Sequence, residues 1–327
     1  MNNTLYIVVP CYNEEAVLTE TTKRLTEKLT RMVNQGLISS ESRICYVDDG
    51  SRDKTWELIE KLNKENSFVY GIKCSRNRGH QNALLAGLMT VKDLCDCAIS
   101  MDADLQDDIE VLDEFMQKYN EGCHIVYGVR SSRKTDTFFK KFTAQSFYKL
   151  MAGLGVDIVY NHADYRLMSK RALEELEGYK EVNLFLRGIV PLIGFKTDVV
   201  TYERHERFAG ESKYPLKKML AFAFDGITSF SVKPIRMIFT TGILIFLISI
   251  LLLIYCIIGY FQGNTTQGWA SIMVSIWAIG GLLLLSVGIV GEYIGKLYME
   301  TKARPRFIVD TLLRENGAKE DGIADKH

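Results

Sequence analysis

Along the N-terminal half of the chain, short apolar runs alternate with stretches whose apolar residues return every three to four positions. Leu5–Val9 is a continuous apolar run and reads as a strand, while Glu14–Val33 carries the spacing of an amphipathic helix. The pattern repeats: strand at Arg43–Val47, helix near Thr55–Asn63, strand at Phe68–Lys73, helix at Gln81–Val91 and strand at Cys97–Met101. Ile109–Tyr119 and Ile125–Gly128 continue it. Such alternation predicts an α/β fold, a mostly parallel sheet covered by helices. In sheets of this kind ligands bind beyond the carboxyl ends of the strands.

The second half follows a different pattern. No charged residue occurs from Ile238 to Phe261, and none from Gln262 to Val290. At about 1.5 Å per residue the first stretch reaches roughly 36 Å, enough to cross a bilayer core of about 30 Å. Two spans, about 238–261 and 269–290, joined by the polar turn Gln262–Gly268, predict a transmembrane hairpin. Lys233 and Arg236 precede it, Lys296, Lys302, Arg304 and Arg306 follow it, and the turn carries no positive charge. The positive-inside rule then places both ends and the large N-terminal region in the cytoplasm, at the inner or plasma membrane of the cell. Leu5–Val9 has no basic region before it and reads as a strand, not a leader. Leu216–Thr228 and Phe230–Arg236, interrupted by Pro234, read as interfacial helices at the headgroups. The expected organisation is residues 1–213 catalytic, 214–236 juxtamembrane, 237–297 hairpin, and 298–327 a cytoplasmic segment whose last dozen residues are disordered. Gly280, Gly281, Gly288, Gly291 and Gly295 would permit close helix packing, so a homo-oligomer is expected.

Composition narrows the function classes. The 327 residues carry no net charge, which argues against nucleic acid as a global partner. The seven cysteines lack zinc-type pairing, and Cys95-x-Cys97 has the wrong spacing for a metal knuckle or a thioredoxin-like pair. They read as reduced and structural, as a cytoplasmic face requires.

Polar clusters stand where four successive strands end: Pro10-Cys-Tyr-Asn-Glu14, Asp48-Asp-Gly-Ser51, Ser75-Arg-Asn-Arg-Gly79 and Asp102-Ala103-Asp104. In the last cluster strand alternation would point Asp102 and Asp104 the same way, so both can share one hard divalent cation. Gln106 and Asp107 follow and add oxygen donors. A cation held so, with open positions, suits a pyrophosphate leaving group.

With these strings the chain resembles the family 2 glycosyltransferases of GT-A fold. Within them it resembles the polyprenyl-phosphate transferases, the dolichyl-phosphate mannose synthases and, more closely, the bacterial bactoprenol glucosyltransferases. The supporting strings are Val8-Val-Pro-Cys-Tyr-Asn-Glu-Glu15, Val47-Asp-Asp-Gly-Ser51, Ser75-Arg-Asn-Arg-Gly79 with Ala83-Leu-Leu-Ala-Gly87, and Met101-Asp-Ala-Asp-Leu-Gln-Asp107. Tyr127-Gly-Val-Arg130, Asp164-Tyr-Arg-Leu-Met168, Arg207-Phe-Ala-Gly-Glu-Ser-Lys-Tyr214 and Arg304-Pro-Arg-Phe307 follow in order, so the likeness covers about residues 4 to 310.

The resemblance implies a nucleotide-sugar site of Pro10, Tyr12, Asn13, Glu14, Asp48, Asp49, Ser51, Arg76, Asp102, Ala103 and Asp104. Tyr12 would stack on the base, and Asp48 or Asp49 would accept from a base N–H or a ribose hydroxyl. Asp48–Ser51 also reads as a turn capping a helix at Ser51 or Asp53. Asp102, Asp104 and Gln106 would hold Mg²⁺ or Mn²⁺ against the diphosphate, since an oxygen-only set suits those metals and not zinc. Arg130, Arg133, Arg207, Ser212 and Lys213 are suited to an acceptor phosphate. Arg130, Arg207 and Asp164 would carry catalysis, with Asp164 the candidate base for a hydroxyl acceptor. A phosphate monoester, largely anionic above its second pKa of about 6, has less need of a base. His80 reads either as a neighbour of the diphosphate or as a helix-start residue.

Two other readings remain. A processive polysaccharide synthase usually has more spans and a Gln-x-x-Arg-Trp string, whereas the tryptophans here are Trp56, Trp269 and Trp277. A non-catalytic nucleotide-sugar-binding scaffold would have no need of the aspartate pair. The expectation is a metal-dependent inverting transferase, moving one sugar, foremost glucose from UDP-glucose, onto polyprenyl (undecaprenyl) phosphate at the cytoplasmic leaflet.

Overall fold

The computed structural model describes residues 2–131, 162–182, 184–203, 233–261, 268–314 and 317–321. Two compact units divide the chain: Met1–Tyr148 with Asp157–Pro215 and Ala303–His327, and Lys149–Val156 with Leu216–Lys302. In the first unit β1 (Leu5–Cys11), α1 (Leu18–Asn34), β2 (Arg43–Asp48), α2 (Thr55–Glu65), β3 (Val69–Cys74), α3 (His80–Val91) and β4 (Cys97–Ser100) alternate as expected. A 3-10 turn at Ile109–Val111 leads to α4 (Leu112–Asn120), β5 (Ile125–Arg130), β6 (His162–Ser169), α5 (Lys170–Glu177), α6 (Leu186–Leu192) and β7 (Thr197–Tyr202). The second unit supplies α7 (Lys233–Phe261) and α8 (Trp269–Lys302), after which β8 (Val309–Leu313) and β9 (Lys319–Asp321) return to the sheet.

The sheet has nine strands in the order β7-β5-β6-β4-β1-β2-β3-β8-β9. Its central strands β4, β1, β2 and β3 are parallel. The flanks are mixed. β6 runs antiparallel to both β4 and β5, and β8 antiparallel to β3. The architecture is therefore α/β with a mixed sheet: the parallel pairing expected from alternation holds in β4-β1-β2-β3 and in β5-β7, and β6 and β8 run against the strands beside them. Hydrophobic period reports that a strand exists, not which way it runs.

Helix packing follows the apolar spacing. α1 buries Leu18, Thr21, Thr22, Leu25, Lys28, Leu29 and Met32. The buried Lys28 ammonium is satisfied by Asp113 (2.8 Å), Glu110 (3.2 Å) and the Glu110 carbonyl (3.0 Å), which ties α1 to the 3-10 turn. α3 buries every residue from Ala83 to Leu88. It lies close on β1 and β2 at Gly87, where a Cβ would stand 2.4 Å from Val8 Cγ1 and 2.7 Å from Val47 Cγ2.

The C-terminal segment is tied to the sheet edge by Asn63. Its amide donates to the carbonyls of Val69 and Arg314 (2.7 Å for the latter), and its Oδ1 accepts from Gly317 N–H at 3.0 Å. β9 falls within the last dozen residues, which were expected to be disordered. Their polar composition conceals a strand that pairs on the exposed edge of β8.

In the second unit, α7 and α8 are 29 and 34 residues long and expose large apolar side chains such as Leu251, Tyr255, Leu284 and Leu297. Pro234 does not interrupt a helix; it sits second in α7, within the first turn, where its missing N–H breaks no helical bond. Ala278–Lys302, with mean hydropathy 1.7, is the one stretch among the described residues long and apolar enough to cross a membrane; Ile235–Ile245 is a shorter apolar helix. Of the two spans expected, one candidate is thus found, displaced toward the C-terminus. α8 does not stop at Val290 but runs on through Glu292 and Lys296. The interfacial segment 214–232 lies outside the described residues.

Replacing Gly87 by alanine forces a methyl group against two buried β-branched side chains. Gly87→Ala is expected to destabilise the first unit by about 1–3 kcal/mol, read as a lower chemical-denaturation midpoint.

Candidate active site

At the carboxyl ends of β1, β2 and β3 the loops hold one another through side-chain to backbone hydrogen bonds. Asn13, at φ 57°, occupies the left-handed region that asparagine tolerates better than most residues. Its N–H donates to Ser51 Oγ (3.0 Å) and its Oδ1 accepts from Arg52 N–H (2.9 Å). Glu14 N–H donates to Thr55 Oγ1 at 2.9 Å. By these atoms Asn13, Glu14 and Ser51 join the first loop to the second. Tyr12, next in sequence to Asn13, stands exposed. Pro10 is buried in β1 opposite Val47, past the last pairing with β4 at Val8↔Ser100.

The two aspartates after β2 are both buried but held differently. Asp49 accepts from the N–H groups of Arg78 and Gly79, each at 2.8 Å. This pulls the loop after β3 onto Gly50, at φ +66°, where a Cβ would lie 2.7 Å from Asn77 N. Asp48 accepts from Ser51 N–H at 3.2 Å, and burial pushes its carboxyl up despite that bond. Asp53, not Ser51, accepts at the start of α2, from Thr55 N–H at 3.0 Å. Arg76, in the third loop, is exposed.

Beyond β4 the expected geometry changes. The strand ends at Ser100, and Leu105 turns the chain at φ 56°. Asp102 and Asp104 therefore do not share a strand face, and alternation is not what places them. Asp102 is half-buried, with His80 Nε2 at 3.6 Å from its Oδ1. Asp104 is buried and accepts from Gln106 N–H at 3.2 Å. Ala103 is buried, its carbonyl accepting from Thr21 Oγ1 at 2.8 Å. Burial raises the Asp102 carboxyl; His80 draws it down, while Asp164 and Asp104 raise it again. Among the described residues no group of His, Cys, Asp and Glu side chains is already gathered around a metal position. Asp102 and Asp104 nonetheless offer crowded carboxylates, a donor set that fits a hard divalent cation.

Asp107, expected as a further oxygen donor, has one carboxylate oxygen engaged by Tyr202. It is buried, accepts from the Tyr202 hydroxyl, and is pushed up to about 6, first by burial and then by the charge of Asp102. Arg130, at the end of β5, lies against the same tyrosine; burial opposes its charge, and Tyr202 and Asp107 restore it. Arg133, Arg207, Ser212 and Lys213 lie outside the described residues.

The residues that sequence reasoning passed over surround Asp164. Its Oδ1 accepts from Arg166 Nη2 (2.8 Å) and Arg187 Nε (3.1 Å), and its Oδ2 from Arg187 Nη2 (3.0 Å). His80 Nε2 stands 3.8 Å from the same Oδ2. Burial pushes the Asp164 carboxyl up, but Arg187 and Arg166 outweigh it and hold the group well below the usual carboxylate range. The Asp164-x-Arg166 spacing on one strand face was available as a signal; Arg187, on α6, carried none.

Three comparisons bear on this site. The sequence model of the family described as Glycosyl transferase family 2 matches residues 6–177. An uncharacterized glycosyltransferase of Bacillus subtilis (strain 168), YkoT, is 58% identical over 306 residues, covering 94% of this chain and 91% of that protein. The bactoprenol glucosyl transferase of Shigella phage SfX is 39% identical over 305 residues, covering 93% and 97%.

Two outcomes follow. Asp49→Ala leaves two loop N–H groups without their acceptor and is expected to cost about 1–3 kcal/mol, visible in the thermal midpoint. A carboxyl depressed in the fold stabilises it above the unfolded value of about 3.9, and that contribution is lost as pH falls through the folded value. Asp164→Asn is therefore expected to lower stability at neutral pH and to flatten the loss of stability below about pH 4, measured by thermal melts across that range.

Proposed function

The chain belongs to glycosyl transferase family 2, and from that premise we propose that it moves a single glucose from UDP-glucose onto a polyprenyl phosphate, undecaprenyl phosphate, at the cytoplasmic leaflet of the cell membrane, inverting the anomeric carbon. One observation carries this reading. The likeness to the bactoprenol glucosyl transferase of phage SfX spans 97% of that protein, so it runs beyond the family match at 6–177 into the long apolar helices. A relative named for a lipid alcohol and a glucosyl group, alike in both units, supports the same acceptor class and sugar here.

The residues support the chemistry in distinct parts. Tyr12 offers a face for the base, and Asp48 an acceptor for a base N–H or ribose hydroxyl. Asp102 and Asp104, with Gln106, would hold Mg²⁺ or Mn²⁺, which when bound neutralises charge on the departing diphosphate. Arg130, with Arg133, Arg207, Ser212 and Lys213, would hold the acceptor phosphate, whose oxygen is already largely anionic above a second pKa of about 6. The protein's task is to orient two anionic groups about one sugar carbon and to compensate their repulsion. We read α7 and α8 as a transmembrane hairpin that keeps the enzyme where such an acceptor resides. In α8 a Cβ at Gly280, Gly281, Gly288, Gly291 or Gly295 would meet nothing within 4 Å, a face suited to packing against a second copy.

Detergent-purified full chain, given Mg²⁺ or Mn²⁺, undecaprenyl phosphate and labelled UDP- and GDP-sugars, is expected to carry label into the organic phase from UDP-glucose. Asp102→Ala/Asp104→Ala is expected to lower that transfer by about 10²-fold or more. Transfer from a different donor would correct the sugar. No transfer from any donor, with nucleotide binding intact, would overturn the reading.

A further inference from the structure

Asp164 reads from sequence as a candidate base, yet it is engaged by three guanidinium nitrogens within 3.1 Å. For it to take a proton it would have to give up part of two charge-assisted pairs, one of them buried. The geometry points to a different division of labour, and we propose that Arg187 is the member of this cluster that meets substrate, donating to a phosphate oxygen of the donor diphosphate or of the acceptor, with Asp164 as its positioning residue. The inference rests on the transfer reading above.

The three side chains differ in exposure in a way that assigns their roles. Arg166 is 2% exposed, Asp164 15% and Arg187 30%. Arg166 is interior: it donates to Asp164 and, through Nη1, to the Leu186 carbonyl at 3.3 Å. Leu186 N–H donates to Gln81 Oε1 at 2.9 Å. The backbone just before Arg187 is thus fixed by β6 on one side and by the first turn of α3 on the other. Asp164 then takes the Nε–Nη2 edge of Arg187 in a two-point fork, which fixes the plane of the guanidinium and leaves the Nη1 end outside the fork.

That guanidinium lies where phosphates are expected. It is close enough to Asp102 to stabilise its charge and close enough to Arg130 to oppose its charge. Arg187 is thus within electrostatic reach of both the candidate metal ligand Asp102 and the candidate acceptor arginine Arg130. A rigid, partly exposed fork suits an anion with several oxygens, and two phosphate groups must meet at the reacting carbon. An acceptor that arrives ionised has no proton for Asp164 to remove.

The test uses the full chain in detergent, with UDP-glucose and undecaprenyl phosphate varied separately. Arg187→Ala, or Arg187→Met should the first fail to fold, is expected to lower kcat/KM by about 10²-fold, with partial rescue by added guanidinium and little by Arg187→Lys. A rise in KM for UDP-glucose assigns the donor diphosphate; a rise for undecaprenyl phosphate assigns the acceptor. Because Asp164 acts through Arg187, Asp164→Asn/Arg187→Ala is expected to be no slower than Arg187→Ala alone. Activity of the Arg187 variants within threefold of the parent, or a further large loss in the double variant, overturns the inference while leaving the transfer reading intact. If the parent transfers to no acceptor, the transfer reading fails, and calorimetry with Mg²⁺ and inorganic phosphate or pyrophosphate decides Arg187 separately. About tenfold weaker binding of either anion by Arg187→Ala supports it, and unchanged binding of both overturns it.

Discussion

A carboxylate removed from water must be met by donors or by opposite charge, and this requirement organises the mouth of the central sheet. Asp48, Asp49, Asp104 and Asp107 are all buried there, and Asp164 nearly so. They are met by three kinds of partner. Backbone N–H groups serve Asp49, a phenol serves Asp107, and two arginines serve Asp164. Asp102 is the exception, half-buried, with the His80 imidazole at 3.6 Å, Arg187 within electrostatic reach and other carboxylates around it. The site thus sets carboxylates enclosed by the scaffold beside Asp102, which keeps solvent exposure and carboxylate neighbours.

The same separation explains what could be read from the sequence. Central strands and their helices were legible because burial on a sheet face or a helix stripe leaves a period of two or about 3.6. The clusters at the strand ends were legible because polar residues interrupt those periods. Which atom of a cluster faces a ligand was not legible. Asp48 and Asp49 are adjacent and chemically identical, and only the approach of Arg78 and Gly79 distinguishes them. Asp102 and Asp104 would share a face only on a strand, and β4 ends at Ser100, before either of them.

Direction and distance were hidden for related reasons. β6 enters between β4 and β5 in the opposite sense, which no local pattern records. It carries Asp164 and Arg166 to the mouth, where they meet Arg187 from α6. β9 has the composition of a solvated tail and earns its structure from an available neighbour. Long-range pairing, not propensity, decides such elements.

The return of β8 to β3 makes the order of synthesis matter. Until Val309–Leu313 has left the ribosome, β3 has no partner on that side, and Ser75 N–H lacks the Ile308 carbonyl that it meets in the finished fold. Both long apolar helices, Lys233–Phe261 and Trp269–Lys302, are translated before that strand. The nucleotide-binding half therefore waits with an open sheet edge while the most aggregation-prone part of the chain is being made. Completion of the sheet is a late event, and a nascent chain cut before residue 309 would leave that edge open for good.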